Sequence, residues 1–267
     1  MNSKRSKQIK YFHVDAQEWQ LNETRTVIEQ EIPLIVNGKV WMEMLCTPDH
    51  LDYLGVGFLF NEGLIKSSED LVSVSVCESG DYVEIKTTQE IIQPRYFHRT
   101  TGCSGGLTAV QLPDQPIPEL KNVHLPPDSI YHLIQKFESL QKDYLESRGV
   151  HCSALSDGNE ILVLLDDVGR HNTLDKLAGY CIINQIPLPQ PVVLTTGRIS
   201  SEMLQKSARM GSSVIISLTS PNNYSIELAE TWGITLVGYS RRNSFNLYTH
   251  PERILDNVNA DQLKADA

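Results

Sequence analysis

Residues 160–176, Glu-Ile-Leu-Val-Leu-Leu-Asp-Asp-Val-Gly-Arg-His-Asn-Thr-Leu-Asp-Lys, place an apolar run of strand length directly before a polar cluster and a helical pattern. This order is typical of an open α/β sheet, in which ligands bind beyond the carboxyl ends of the strands. A glycine beside an arginine lets backbone amides and a guanidinium group meet one anionic group. The alternative is an ordinary βα turn with a solvated rim. Three further strand ends repeat the pattern, which favours ligand binding.

Alternating strand and helix patterns continue to residue 239 and predict a mostly parallel sheet with helices on both faces. Polar residues follow four of these strands at what would be one edge of the sheet. They are Asp167, Gly169, Arg170, His171 and Asn172 after the first, Thr196, Gly197 and Arg198 after the second, Ser220, Pro221 and Asn222 after the third, and Arg241 and Arg242 after the fourth.

Up to four guanidinium groups and several helix amino-termini would then surround one crevice. Such a crevice suits a phosphate-bearing, nucleotide-like ligand. The chain has neither a Walker A loop nor a Gly-x-Gly-x-x-Gly motif, so neither ATP hydrolysis nor dinucleotide redox chemistry is indicated.

The first 90 residues predict a small β-rich unit with one helix. Asn37-Gly38 is a strong two-residue turn signal and predicts a hairpin between strands at 32–36 and 39–45. Further strands are predicted at 71–76 and 82–87.

The helix of this unit is expected to begin at Thr47-Pro48 and to end at Gly63. Gly55 and Gly57 within it each cost roughly 1 kcal/mol against alanine. That cost predicts a close backbone contact on this face of the helix.

Cys103 stands apart from the other cysteines because glycines on both sides leave its thiol uncovered in the aperiodic segment 93–108. Arg95, His98 and Arg99 nearby would lower its pKa and favour the thiolate, so a reactive thiol is the preferred interpretation. Five scattered cysteines without a Cys-x-x-Cys pair fit neither a disulfide framework nor a zinc finger. Three are predicted to be small buried hydrophobes, namely Cys46, Cys77 and Cys181.

Prolines crowd residues 112–127 and predict a domain boundary there. A long helix, capped by Asp128 and ended by Gly149, is expected to follow. The predicted organisation is a flexible tail at 1–20, a β-rich domain at 21–112 with the cysteine loop 93–108, a proline-rich linker at 113–127 and an α/β domain at 128–267.

A formal net charge of −10 disfavours a nucleic-acid or acidic-membrane partner, because such binding needs a surplus of lysine and arginine. No apolar stretch approaches the length of a membrane span, and no signal core follows the basic amino-terminus. A cytoplasmic protein is therefore expected.

Several motifs resemble, in the same order, those of the FdhD family of formate dehydrogenase accessory sulfurtransferases. They are Val-Asn-Gly at 36–38, Asp-Val-Gly-Arg-His-Asn-Thr-Leu-Asp-Lys at 167–176, Thr-Gly-Arg-Ile-Ser-Ser-Glu-Met at 196–203, Leu-Ala-Glu at 228–230 and Phe-Asn-Leu-Tyr-Thr-His at 245–250. The resemblance implies a cytidine-deaminase-like, three-layer α/β domain without zinc. A deaminase-type hydrolase would need zinc, and the chain lacks a Pro-Cys-x-x-Cys segment.

The resemblance implies a sulfur carrier. A cysteine desulfurase would pass sulfane sulfur to Cys103, and the persulfide would sulfurate a molybdenum or tungsten bis-pyranopterin guanine dinucleotide cofactor for formate dehydrogenase. A homodimer is also expected. Typical members carry Cys-x-x-Cys in this loop, whereas the residue three after Cys103 is Gly106, so a resolving cysteine is missing. The alternative is a chaperone that holds the cofactor without sulfur chemistry.

The cofactor, or GDP as its mimic, is expected to bind two groups of residues. The segment implied by the resemblance is Phe245, Asn246, Leu247, Tyr248, Thr249 and His250, and the strand-end cluster adds Asp167, Gly169, Arg170, His171, Asn172, Gly197, Arg198 and Ser220. From composition alone, the first group fits an ordinary edge strand as well as an aromatic platform for a flat ring.

Overall fold

The structure is a computed structural model that describes residues 5–93, 119–141 and 149–255, together with the backbone of 98–99 and 107–108. Cys103 and Gly106 lie outside the described residues. The strands are β1 (Ser6–Val14), β2 (Trp19–Val27), β3 (Gln30–Val36), β4 (Lys39–Cys46), β5 (Leu71–Val76), β6 (Val83–Thr87), β7 (His98–Arg99), β8 (Leu107–Thr108), β9 (His151–Ser156), β10 (Ile161–Asp167), β11 (Val192–Thr195), β12 (Val214–Ser217), β13 (Thr235–Arg241) and β14 (Ser244–Leu247). The helices are α1 (Leu51–Asn61), α2 (Pro127–Leu140), α3 (Arg170–Ile183), α4 (Ser201–Arg209) and α5 (Asn223–Trp232).

The larger sheet has the strand order β10-β9-β11-β12-β13-β14. The pairs β11/β12 and β12/β13 are parallel, whereas the other three pairs are antiparallel. The prediction of a mostly parallel sheet is therefore wrong. Short turns join β9 to β10 and β13 to β14, and strands joined in this way pair antiparallel.

The carboxyl ends of β10, β11, β12 and β13 nevertheless meet at one edge, as predicted. β9 lies between β10 and β11 and is antiparallel to both, so β10 runs in the same direction as β11. Two strands start at this edge, β9 at His151 and β14 at Ser244.

Helices cover both faces of this sheet, and the predicted three-layer α/β architecture is confirmed. One core contains Val193 with side chains of α3, α4 and α5, whereas Val192 and Leu194 enter the opposite core with α2. Successive strand residues face opposite sides, which explains the division. α2 begins at Pro127, a position that suits the fixed φ of proline, so Asp128 lies in the first turn and is not the cap.

The smaller sheet has the order β4-β3-β6-β5 and packs on α1. The Asn37-Gly38 hairpin is confirmed, with φ of 50° and 76° at the two turn residues. Gly63, with φ of 72°, follows the end of α1 as predicted. The predicted helix start is wrong, because α1 begins at Leu51.

Residues expected to be a flexible tail form the hairpin β1–β2, with Ser6 opposite Val27. Cross-strand pairs of large side chains, Phe12 with Leu21 and Val14 with Trp19, explain the pairing. Part of the expected linker also differs from the prediction. Leu125 is only 3% exposed in the α2 core, so this end of the segment belongs to the α/β unit.

The two units meet where α1 crosses α3 at a pair of glycines. A Cβ on Gly57 would lie 1.7 Å from the carbonyl oxygen of Asp175, and one on Gly179 would lie 1.9 Å from that of Tyr53. Each helix therefore presents a bare backbone to the other. The close contact predicted from the glycines of α1 is confirmed at Gly57.

Gly57→Ala is expected to lower the free energy of unfolding by about 3 kcal/mol or more, because the overpacked methyl meets backbone that cannot rotate away. Urea unfolding monitored by circular dichroism measures the loss. Gly80→Ala is the control, since its Cβ would meet open space and its positive φ costs about 1–2 kcal/mol. Equal losses in the two variants would contradict the proposed crossing.

Candidate anion-binding site

A cavity of about 230 Å³ lies at the shared edge of the larger sheet. Its lining residues come from three of the predicted strand ends and are Arg170, Arg198, Ile199, Ser200, Ser220, Pro221 and Asn222. Two helices begin here: Ser200 caps α4 by accepting a hydrogen bond from the amide of Met203, and Asn222 caps α5 by accepting one from Ser225. Helix amino-termini and guanidinium groups both favour anions.

Arg170 and Arg198 differ in how the fold holds them. Arg170 opens α3 and is only 5% exposed, whereas Arg198 is exposed at the rim. Gly197 leaves room for Arg170, since a Cβ there would lie 3.0 Å from the Cβ of Arg170. One arginine is therefore fixed in the wall and the other is accessible to a ligand.

The other two arginines predicted for the crevice do not line it. Arg241 donates to the carbonyl oxygens of Leu218 and Ser240, each at 2.8 Å. Arg242 forms an ion pair with Glu138 of α2 at 2.7 Å. The expectation of up to four guanidinium groups is thus reduced to two.

His171 lies beside the cavity with Ser200 and Glu202. Its Nε2 is 3.5 Å from both the hydroxyl of Ser200 and the carboxylate of Glu202, and Ser200 donates to Glu202 at 2.8 Å. Burial lowers the pKa of His171 despite the neighbouring carboxylate, and the contact with His171 lowers the pKa of Glu202. A neutral imidazole therefore stands at the edge of the crevice, where it can accept a proton.

His151 is a residue of this edge that the sequence argument missed. It is the first residue of β9, pairs with Asp167, and its Nδ1 is 3.4 Å from the hydroxyl of Thr196. Burial lowers its pKa, and the positive charge of Arg170 is the next largest cause. Only the antiparallel course of β9 places it here, and strand patterns carry no signal for direction.

Asp167 and Asn172 are close in sequence to Arg170, which lines the crevice, but their side chains form hydrogen bonds inside the protein. Oδ1 of Asp167 accepts from the amide of Gly169 and from Asn172, both at 2.8 Å, and Oδ2 accepts from the amide of Thr47 at 3.1 Å. Asn172 also donates to the carbonyl oxygen of Leu45 at 2.9 Å. These two predicted site residues therefore connect the α/β unit to the β-rich unit.

The cation of this network is Lys176, whose side chain is 0% exposed. Its Nζ lies 2.8 Å from carboxylate oxygens of both Asp167 and Asp49. Burial alone would lower the pKa of Lys176, but the two carboxylates outweigh it and raise the pKa. The lysine therefore stays protonated inside the protein.

The segment 245–250 is only partly brought to the crevice. Tyr248 and Pro221 flank Gly238, since a Cβ there would lie 3.0 Å from the tyrosine ring and 3.1 Å from the proline. Asn246 is exposed on β14. Phe245 packs on Tyr131 of α2 with ring centroids 5.5 Å apart, and Leu247 enters the same core.

Thr249 and His250 lie at the opposite edge of the sheet. Thr249 donates to the carbonyl oxygen of Ile234 at 2.7 Å, and His250 Nε2 is 3.0 Å from that of Glu230. The antiparallel course of β14 carries the chain away from the crevice. The residues predicted to form one site therefore lie in two separate places. Tyr248 is the residue of the segment 245–250 that lies nearest the crevice.

The described cysteines differ in exposure. Cys46 and Cys181 are buried as predicted, and burial raises the pKa of Cys181 to about 12. The prediction for Cys77 is wrong, because this residue is half-exposed in the turn after β5. Hydrogen bonds lower the pKa of its thiol, and the bond with the side chain of Ser79 has the largest effect. Among the described residues, no group of three or more His, Cys, Asp and Glu side chains could hold a metal ion.

Fold and site together define an α/β protein with a candidate anion-binding crevice at one sheet edge and a β-rich unit that contacts the same strand end. Residues 27–255 match the model of the FdhD/NarQ family, and the chain belongs to that family. Among the described residues, none of the helices is both long and apolar enough to cross a membrane.

Curated relatives and a solved structure agree with this assignment. The chain is 34% identical over 238 residues to the sulfur carrier protein FdhD of Bacillus subtilis (strain 168), with 87% of this chain and 91% of the relative covered. It is also 34% identical to the sulfur carrier protein FdhD of Staphylococcus aureus (strain MRSA252), with 86% and 89% covered. A crystal structure of a protein from Desulfotalea psychrophila, assigned as a formate dehydrogenase accessory protein, superposes with a TM-score of 0.77 at 27% identity and covers 94% of this chain and 100% of that chain.

Lys176→Met is expected to lower the free energy of unfolding by about 3–5 kcal/mol, because it leaves buried carboxylates without their cation. Urea unfolding measures the change. Lys136→Met is the matched control: Lys136 is half-buried but pairs with the exposed Glu160 at the surface, and its loss should stay below about 1 kcal/mol. A loss as small as that of the control would show that Lys176 does not hold the network.

Proposed function

We propose that this protein is a sulfur carrier for formate dehydrogenase maturation. Cys103 would accept sulfane sulfur from a cysteine desulfurase, and the persulfide would deliver it to a molybdenum or tungsten bis-pyranopterin guanine dinucleotide cofactor. Membership of the FdhD/NarQ family and the names of the curated relatives support the sulfur-carrying role. The cofactor is cargo in this proposal, and the protein would act as a homodimer.

The observation that carries the proposal is the crevice between Arg170 and Arg198. Its volume of about 230 Å³ is below the usual range for a whole small-molecule ligand, which is roughly 300–1,000 Å³. The volume suits the diphosphate of a nucleotide, with the sugar and base outside. Arg198 and the capped starts of α4 and α5 would neutralise the diphosphate.

The sulfur step needs a thiolate and a leaving thiolate. The sulfur of Cys103 would attack the terminal sulfur of the desulfurase persulfide, the donor S–S bond would break, and the desulfurase thiolate would leave. Reduction of the carried sulfur to sulfide takes two electrons. Because Gly106 replaces a resolving cysteine, we propose that two molecules of a small thiol supply them and leave as a disulfide.

GDP is expected to raise the melting temperature of the protein, and Arg198→Ala should abolish the shift because it removes the accessible guanidinium from the crevice. Differential scanning fluorimetry with and without GDP measures the effect. Arg242→Ala is the matched control, since its guanidinium pairs with Glu138 outside the cavity. An unchanged shift in Arg198→Ala, or equal losses in both variants, would exclude the crevice as the nucleotide site.

Incubation with a cysteine desulfurase and cysteine is expected to add one sulfur atom, which intact-protein mass spectrometry detects. Cys103→Ser should take up none, whereas Cys77→Ser, which changes another accessible thiol, should take up sulfur normally. If Cys103→Ala still supports maturation of formate dehydrogenase and Arg198→Ala does not, the protein is a cofactor-holding chaperone without sulfur chemistry. Uptake on Cys103→Ser would assign the carrier role to another thiol.

A further inference from the structure

A second cavity, of about 610 Å³, opens at the sheet edge opposite the crevice. It lies beyond the ends of α1, α3 and α4, where Arg209 is the last residue of α4. Ser200, which caps the other end of α4, lines the crevice. The volume falls within the range of roughly 300–1,000 Å³ that is usual for small-molecule sites. The cavity can therefore hold a ligand separate from one in the crevice.

The walls of this cavity are mainly apolar and come from both units. The β-rich unit contributes Phe60 and Ile65, and the α/β unit contributes Ile182, Ile186 and Leu188. Phe60 and Leu188 each pack against the cores of both units. An apolar ligand would fill a gap in the contact between the units, and burial of its apolar surface would favour binding.

The cavity also carries positive charge. Arg209 lies in the wall half-buried, and its Nη2 is buried without a hydrogen-bond partner among the described residues. Lys206, one turn earlier on α4, differs from Arg209 because its charge is already paired. Both carboxylate oxygens of Asp175 lie within 2.7 Å of its Nζ. Lys66 at the rim adds a second cation, and Glu119, also exposed, is the acidic side chain of the lining.

A buried donor without an acceptor destabilises the protein, and a charged donor does so most, so a ligand that supplies an acceptor removes that penalty. Burial lowers the pKa of Arg209, which Glu62 partly offsets, and this agrees with a guanidinium group that is poorly solvated. A carboxylate is the simplest acceptor that matches the planar fork of arginine.

We propose that this cavity binds a small amphipathic carboxylate, with its carboxylate on Arg209 and its apolar chain against Ile182, Ile186 and Leu188. The side chain of Arg209 turns its Nη2 toward the ligand on binding. Because the ligand contacts α1, α3 and α4 together, its binding stabilises the contact between the two units. The site is separate from the crevice proposed for the nucleotide.

Sodium octanoate is the probe, and isothermal titration calorimetry of the full-length protein is the measurement. Saturable binding with one site per chain is expected. Octan-1-ol, which keeps the chain and loses the charge, should bind about tenfold more weakly or not at all, since a charge-assisted hydrogen bond is lost. Arg209→Gln should weaken octanoate binding by about the same factor, and Ile186→Trp should abolish it by filling the cavity.

Arg198→Gln is the control, because it changes a cation of the crevice and should leave octanoate binding unchanged. Circular dichroism melting of each variant establishes that it is folded. Equal affinity for octanoate and octan-1-ol on the unaltered protein would overturn the proposal even if a variant fails to fold. Unchanged octanoate binding in folded Ile186→Trp would also overturn it.

Discussion

Both units of the chain depend on the fully buried ammonium group of Lys176. Its Nζ lies 2.8 Å from Asp167 of β10 and from Asp49 of the β-rich unit, and it also donates to the carbonyl oxygens of Thr47 and Asp166. Removal of a charged group from water costs several kcal/mol, and this set of acceptors offsets the cost. Neither unit supplies all of them, so the lysine is satisfied only when the two units are in contact.

This constraint also shapes the crevice. Asp167, held by Lys176, accepts from the amide of Gly169 and so fixes the turn that starts α3. Arg170 is the next residue, and its side chain packs against Gly197, which follows β11 two strands away in the sheet. The polar residues after β10 therefore divide into two sets. Asp167 and Asn172 face the β-rich unit and hold the turn, whereas Arg170 and His171 lie on the side of the crevice.

Local signals predicted those parts of the fold whose causes are local. Asn37-Gly38 favours positive φ at both turn positions, and Gly57 tolerates a bare backbone contact, so both features could be inferred from a few residues. The start of α1 could not be inferred from nearby residues, because the backbone amide of Thr47 donates to Asp167, which is 120 residues away in sequence. His151 was missed for a related reason: a strand pattern does not state whether its neighbour is parallel or antiparallel. The hairpin β1–β2 could not be predicted for the same reason. Each of its strands is polar enough to resemble a flexible tail, and only the pairing between them identifies them as strands.

The direction of β14 also limits how a ligand could use the segment 245–250. β13 spans Thr235–Arg241, and at about 3.3 Å per residue its two ends are roughly 20 Å apart. Thr249 and His250 lie beside the first end and the crevice lies at the second, so a compact mononucleotide in the crevice would not reach both. An elongated dinucleotide cofactor could, with its diphosphate near Arg198 and a more distant part along β14. Tyr248 lies between the two places, beside Pro221, and is the residue of this segment best placed to contact a ligand held in the crevice.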